Sequence, residues 1–119
     1  MIAYKVVDNC SRSITAQAGN YYSVDYLIGK RIKATYPMFC FDTLDNARNF
    51  ARMNCWTKIL KCRIVRSRRK LRPGRLARMH HIDVYWAKKD YNEITLEIPR
   101  GTILADVVTP LEREYHDSL

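Results

Sequence analysis

The chain has 119 residues and a formal net charge of +9, with 47% hydrophobic and 11% aromatic residues. This length suits one folded domain, and the composition excludes a disordered or low-complexity protein. No apolar run reaches the roughly 20 residues that a membrane helix needs, and the first ten residues lack the plan of a signal peptide. We therefore expect a single domain over residues 1–119 that is cytoplasmic and has no membrane partner.

Short β-rich runs dominate the first third of the chain. Residues 3–7 read AYKVV, and residues 21–27 and 31–35 flank a turn at Gly29. The first run is typical of a short strand, and the other two predict either two short strands or one bent strand around the turn. Pro37 then interrupts the chain before the apolar run MFCF at 38–41, which predicts a further strand.

One helix is predicted directly after this run. Asp42 and Thr43 offer an N-cap ahead of the run LDNARNFARM. The apolar residues of the run recur at helical spacing on one face: they are Leu44, Ala47, Phe50 and Ala51.

The second half returns to strand patterns. Residues 58–65 alternate in the way expected of a half-buried strand, 83–87 and 93–98 predict a hairpin, and 102–108 predict a strand after the turn at Gly101. Residues 111–117 are expected to form a short terminal helix or tail. The chain is thus predicted to be α+β, a compact domain with one main helix on a mainly antiparallel sheet of about six or seven short strands.

The positive charge is concentrated in one third of the chain. Residues 46–82 hold twelve Arg or Lys and no Asp or Glu, whereas the remaining residues total −3. Pro73 and Gly74 predict a turn inside a long basic loop at about 66–81. The basic residues between positions 63 and 78 are the candidate nucleic-acid-binding residues: Arg63, Arg66, Arg68, Arg69, Lys70, Arg72, Arg75 and Arg78.

Such a block favours an acidic partner. Arg presents a planar fork that suits phosphate oxygens, and Arg outnumbers Lys seven to one in this set. We expect the partner to be nucleic acid or a nucleoprotein complex, with an acidic protein surface as the runner-up and a solvated loop without a partner as the remaining alternative. Because no sequence-reading motif is present, contact would be led by the phosphate backbone. Several rings are available to stack bases, although rings in strands usually pack cores: Tyr21, Tyr22, Tyr26, Tyr36, Tyr85, Trp86 and Tyr91.

Enzymatic and metal chemistry find little support in the sequence. No hydrolase, phosphate-loop or metalloprotease motif is present, and we expect no cofactor. Structural zinc normally uses ligand pairs two to four residues apart, whereas Cys55 and Cys62 are seven apart. A zinc site built from Cys55, Cys62, His80 and His81 is therefore disfavoured. Cys40, Cys55 and Cys62 are expected to be buried free thiols, because their neighbours are apolar.

The run FCFDTLDNARNFARMNCWTKILKCRIV at 39–65 resembles the strand, capped helix and returning strand of ADP-ribosyltransferase-like domains. The resemblance implies an alternative function as an ADP-ribosyltransferase-like enzyme or a nucleotide-binding domain. In such a transferase Tyr4, Ser23 and Glu97 would take the site positions, although the paired glutamate signature of the family is absent.

The same run, together with GTILADVVTPLE at 101–112, is also similar to small uncharacterised proteins of bacteriophages and other viruses. This resemblance implies a viral accessory factor that antagonises a nucleic-acid-directed host defence in the host cytoplasm. A structural protein associated with a viral genome is the further alternative. In both cases we expect a binding protein more than an enzyme.

Overall fold

The computed structural model describes residues 1–13, 24–54, 56–69, 71 and 98–114, and in this part four antiparallel strands close into a small barrel beside one helix. The elements are β1 (Ile2–Asp8), β2 (Met38–Phe41), α1 (Leu44–Arg52), β3 (Thr57–Arg66) and β4 (Thr102–Glu114). Around the barrel the strands follow the order β1, β2, β4 and β3, and β3 pairs again with β1.

Strand β4 pairs along both of its edges. Its first residues pair with β2, from Thr102 opposite Phe41 to Ala105 opposite Met38. Its other edge pairs with β3 over almost the whole length of both strands. By contrast, β1 and β2 meet at one register pair, Tyr4 opposite Phe41. This short contact is the seam at which the barrel closes.

Two apolar clusters follow from the alternation of side chains along the strands. The inward residues fill the barrel, and those of β1 and β3 are Ala3, Val7, Leu60, Cys62 and Ile64. The second cluster lies between the barrel wall and the helix and comprises Val6, Phe41, Ala47, Phe50, Ala51 and Ile59. In this cluster the rings of Phe41 and Phe50 have centroids 5.2 Å apart. The helix is thus held by an apolar face that the sequence pattern had indicated.

The predicted helix is confirmed, with its cap. The Thr43 side chain accepts a hydrogen bond from the backbone N–H of Asn46 at 3.2 Å, which satisfies one of the free donors at a helix start. Arg52 lies in the last turn, where a cation is favoured by the helix dipole. No helix in the described part of the chain is long and apolar enough to cross a membrane.

Residues 24–35, the described part of the strands that the sequence predicts at 21–27 and 31–35, form no continuous strand. The backbone makes isolated bridges at Asp25 and Ile32 instead of a continuous ladder. The turn predicted at Gly29 is present: Lys30 N donates to Leu27 O at 3.1 Å, and Gly29 has a φ of 83°. The residues on the two sides of the turn face different partners, Arg12 for Asp25 and Val108 for Ile32, so the strand prediction is wrong for the described residues of this segment.

Strand β4 extends further than expected, because a helix or tail was predicted over 111–117 and the strand runs to Glu114. The reason is its partner: Ile59 lies opposite Glu114, so β3 pairs with these last residues. Pro110 is tolerated because a register shift between Lys61 and Cys62 interrupts the ladder at that point.

The strand count of about six or seven is therefore wrong for the described residues, which form four strands. The hairpin predicted at 83–87 and 93–98 lies outside them, apart from Ile98, which is not in a strand. Residues 111–114 belong to β4 instead of a terminal helix.

The turn into β4 offers a test of the fold. Gly101 has a φ of 81°, and a methyl group there would press against the side chains of Asn46 and Asp42, which are hydrogen-bonded to each other at 2.9 Å. We expect Gly101→Ala to lower the free energy of unfolding by roughly 2–4 kcal/mol, from backbone strain and from the clash together. Urea denaturation measures the change.

Gly29→Ala is the matched control, because Gly29 has a similar φ of 83° and open space where the added methyl group would lie. It should lower the free energy of unfolding by only about 1–2 kcal/mol, through backbone strain alone. Equal losses in the two variants would contradict the close packing of Gly101 against the start of α1.

Candidate nucleic-acid interface

A group of exposed basic side chains lies on the outer surface where β3 and β4 pair. Ile2, Arg63 and Thr109 stand side by side in register across β1, β3 and β4. On the far side of β4, Ile32 and Val108 exchange both backbone hydrogen bonds, at 2.8 and 3.0 Å. This antiparallel bridge places Arg31 beside Thr109. Arg31 and Arg63 thus flank β4 with Cα atoms roughly 10 Å apart, two strand spacings.

The group continues along both neighbouring segments. Lys33 is exposed and follows the buried Ile32, and Arg66, Arg68 and Arg69 are exposed at and beyond the end of β3. We call this set the basic face, and its members are Arg31, Lys33, Arg63, Arg66, Arg68 and Arg69. It joins residues that lie more than thirty positions apart in the chain.

Three arginines of the basic face have no acidic partner in the described part of the chain. No described carboxylate lies within ion-pair distance of Arg63, Arg66 or Arg68. Nearby, Glu112 pairs with Lys61 at 3.9 Å, and Asp106 is exposed. Unpaired exposed cations create a local positive potential that attracts anions.

The end of β3 is held in place before the chain leaves the barrel. Ser67 N donates to Leu104 O at 2.8 Å, and Ser67 Oγ accepts from the backbone N–H of Arg69 at 3.1 Å. The guanidinium of Arg69 lies 5.9 Å from the ring centroid of Tyr36, within cation–π range. These contacts fix the direction in which residues 67–69 leave the strand.

Four of the eight residues predicted for nucleic-acid contact are described, and all four are exposed. Arg63 and Arg66 lie in β3, so the basic loop expected at 66–81 begins at Ser67 instead. Arg68 and Arg69 follow the strand. The other four residues fall outside the described part of the chain: Lys70, Arg72, Arg75 and Arg78.

Arg31 and Lys33 were missed by reasoning from the sequence. They lie 32 and 30 positions before Arg63, and their addition depends on the pairing of Ile32 with Val108. The available signal was local: an apolar Ile32 between two basic residues after a glycine turn. Of the rings considered for stacking, Tyr26 is buried at 1% exposure and Tyr36 is half-buried, so Tyr26 cannot meet a base.

The barrel interior contains a second unexpected group, the amine of Lys5. Lys5 shares the inward face of β1 with Ala3 and Val7, and its side chain is buried at 4% exposure. Its Nζ donates a hydrogen bond to the backbone carbonyl of Phe39 in β2, across the seam between the two strands. Nζ also lies 4.9 Å from the ring centroid of Tyr26. The alternation in AYKVV could have revealed it, since a lysine occupies a position where the pattern demands an apolar residue.

Burial sets the protonation of this interior. Desolvation lowers the pKa of Lys5, because the charged ammonium loses its hydration. Desolvation also raises the pKa of Cys40 to about 11, and it raises the pKa of Cys62 and of Tyr26. Both thiols and the phenol therefore stay protonated at neutral pH, and protonated buried thiols are unreactive. The interior is built for packing.

The free thiols expected at Cys40 and Cys62 are confirmed, and Cys10 is free and exposed, whereas Cys55 lies outside the described residues. No cluster of three potential metal ligands occurs among the described side chains. Of the zinc ligands considered in the sequence, Cys62 is enclosed in the barrel, and the two histidines are not described.

The transferase positions implied by the family resemblance are only partly visible. Tyr4 packs against the cluster beneath α1, on the face of β1 opposite to the barrel interior. Ser23 and Glu97 fall outside the described part of the chain. No family model, curated protein or solved structure matches the chain.

The buried amine predicts a pH dependence of stability. The pKa of Lys5 in the folded state lies below the ordinary 10.5, so the unfolded chain binds the Lys5 proton more tightly than the folded chain does. The contribution of Lys5 to the free energy of unfolding is therefore fully present above pH 10.5 and is lost as pH falls through the lowered pKa. Relative to Lys5→Met, the wild type should gain free energy of unfolding as pH is raised from about 7 towards 10. Urea denaturation of both proteins across this range measures the difference.

The free energy of unfolding of the wild type must be compared with that of Lys5→Met, because Cys40 and Cys62 change it with pH in the direction opposite to Lys5. Their raised pKa values mean that unfolding releases thiol protons above the ordinary value of 9.0, which lowers stability at high pH in both proteins alike. A pH-independent difference between wild type and Lys5→Met would show that the amine is not desolvated.

Proposed function

We propose that the protein binds nucleic acid, or a nucleoprotein complex, through the phosphate backbone at the basic face. The observation that supports this most is the placement of Arg31 and Arg63 on either side of β4, both exposed. Two arginines whose Cα atoms lie roughly 10 Å apart suit contact with separate phosphate groups of one backbone. Arg forms bidentate hydrogen bonds with phosphate, whereas Lys acts as a point charge.

Strand pairing fixes the backbone positions of Arg31 and Arg63, which distinguishes them from a cluster of freely moving surface cations. Arg63 is fixed by pairing on both edges of β3, and Arg31 is fixed through its neighbour Ile32. Backbones held in this way lose little freedom on binding, which lowers the cost of association. Arg66, Arg68 and Arg69 are exposed at and beyond the end of β3 and add positive charge towards the rest of the predicted basic loop.

Binding of this kind depends mainly on charge and discriminates little between nucleotide sequences. Contacts to phosphates set affinity and orientation, whereas sequence is read from base edges. A small domain that covers a backbone in this manner would compete with host factors for the same strand, which is the setting of an accessory protein that antagonises host defence. A protein packed beside a viral genome would use the same face, and an acidic protein surface is the competing partner.

Salt dependence tests the proposal. The log of the affinity for a short DNA oligomer should fall with the log of salt concentration, by about 0.7–0.9 for each phosphate neutralised. Replacing Arg31, Arg63 and Arg66 together with Ser should reduce this slope by roughly 2 to 3. The free energy of unfolding should change by only about 0.5 kcal/mol for each substitution, because all three side chains are exposed.

Arg12→Ser is the matched control. Arg12 is paired with Asp25 at 3.6 Å, and it follows the end of β1 that lies opposite Thr57, far from Arg63. With a short DNA duplex as the probe, its loss should leave the salt slope unchanged. If Arg12→Ser lowered the slope as much as each face substitution, binding would reflect net charge alone. If the wild type bound no oligomer at low salt, an acidic protein would become the better partner.

A further inference from the structure

Trp56 is the most exposed large apolar side chain in the described part of the chain, at 81%. It stands between the end of α1 and the first residue of β3 and has a φ of 62°. This left-handed conformation is favoured by glycine and is costly for a bulky side chain. The fold thus carries a tryptophan where both its backbone and its exposure are unfavourable.

The connection that contains Trp56 does not need the indole. Asn54 Nδ2 donates to Phe50 O at 2.9 Å, and Thr57 Oγ1 donates to Asn54 O at 3.0 Å. These bonds hold the turn, and no hydrogen bond or ring contact of Trp56 occurs with the described residues. A structural role would require contacts that the ring does not make with the described residues. A strained and exposed residue of this kind is a candidate for ligand contact.

The surroundings of Trp56 are basic. Arg52 is exposed at the end of α1, and Lys58 lies two residues after the indole. The nearest acid across the ladder is Asp8, opposite Thr57, and its carboxylate accepts hydrogen bonds from the backbone N–H groups of Cys10 and Arg12. An exposed ring beside cations is the arrangement with which proteins stack unpaired bases while holding the adjoining phosphates.

We propose that Trp56 is a base-stacking site and that the partner is single-stranded nucleic acid. This rests on the proposed function and narrows it, because paired bases present no free face to the ring. Trp56 directly precedes Thr57, the first residue of β3, and Arg63 lies six residues after Thr57, a distance of roughly 20 Å along the strand. A single strand of about 4–16 nucleotides, the usual site size of small single-strand-binding domains, can occupy both.

The test compares Trp56→Gly with wild type on two labelled probes, an oligothymidine of about 12 nucleotides and a duplex of the same length, by fluorescence anisotropy. The affinity for the single strand should fall about tenfold or more, with little change for the duplex. At the same time the melting temperature should stay the same or rise by about 2–4 °C, because glycine relieves the left-handed strain.

Trp56→Asn and Trp56→Phe complete the series. Asn accepts the left-handed backbone and should lose single-strand binding as Gly does, whereas Phe keeps a ring and should retain most of it. A lower melting temperature in both the Gly and the Asn variants would overturn the inference, because Trp56 would then be structural.

The outcomes separate this inference from the proposed function. Unchanged single-strand affinity in Trp56→Gly, with loss of binding to both probes in the Arg63→Ser, Arg66→Ser double variant, would refute base stacking and leave backbone binding intact. The exposed indole would then serve a different class of contact, such as an apolar protein surface. Failure of the wild type to bind either probe would overturn both proposals.

Discussion

The length and double pairing of β4 are the constraint on which the rest of the structure depends. One edge holds β2 and then the bridge to Ile32, while the other edge holds β3. Its inward residues complete the barrel core, and its outer surface separates Arg31 from Arg63. A shift of one residue in this register would exchange the two faces of the strand. The apolar core and the basic face are therefore specified together.

The interior and the surface use cations in opposite ways. Lys5 closes the seam between β1 and β2, where one register pair joins the strands, by donating to the carbonyl of Phe39. Its lowered pKa eases the cost of burial, since lysine can lose its proton. Arginine cannot lose its charge in proteins, and on the basic face it stays exposed. Lysine therefore occupies the buried position, where it can become neutral, and arginine occupies exposed positions, where water solvates its charge.

Local patterns predicted the elements whose contacts are also local or regular. The helix and its Thr43 cap, β1, β2 and the alternating β3 were all visible in the sequence. The extension of β4 beyond Pro110 was not, because it depends on partners in β3 fifty residues earlier. For the same reason the charge block indicated Arg63 and Arg66 but not Arg31. The left-handed backbone of Trp56 has no signal in composition or periodicity, since glycine is the residue that usually marks it.

Under the proposed function, affinity for phosphates would come from the basic face and selectivity for unpaired bases would come from Trp56. Arg31 and Arg63 are anchored by strand pairing, so their spacing is fixed before a partner arrives, and a regular phosphate backbone can be held without reading its sequence. Trp56 precedes the first residue of β3, at the other end of the strand, and as the proposed stacking site its flat ring would distinguish a free base from a paired one. Because one strand connects the two positions, the rigidity of the barrel would set the distance between them and thereby favour an extended single strand over a compact anion.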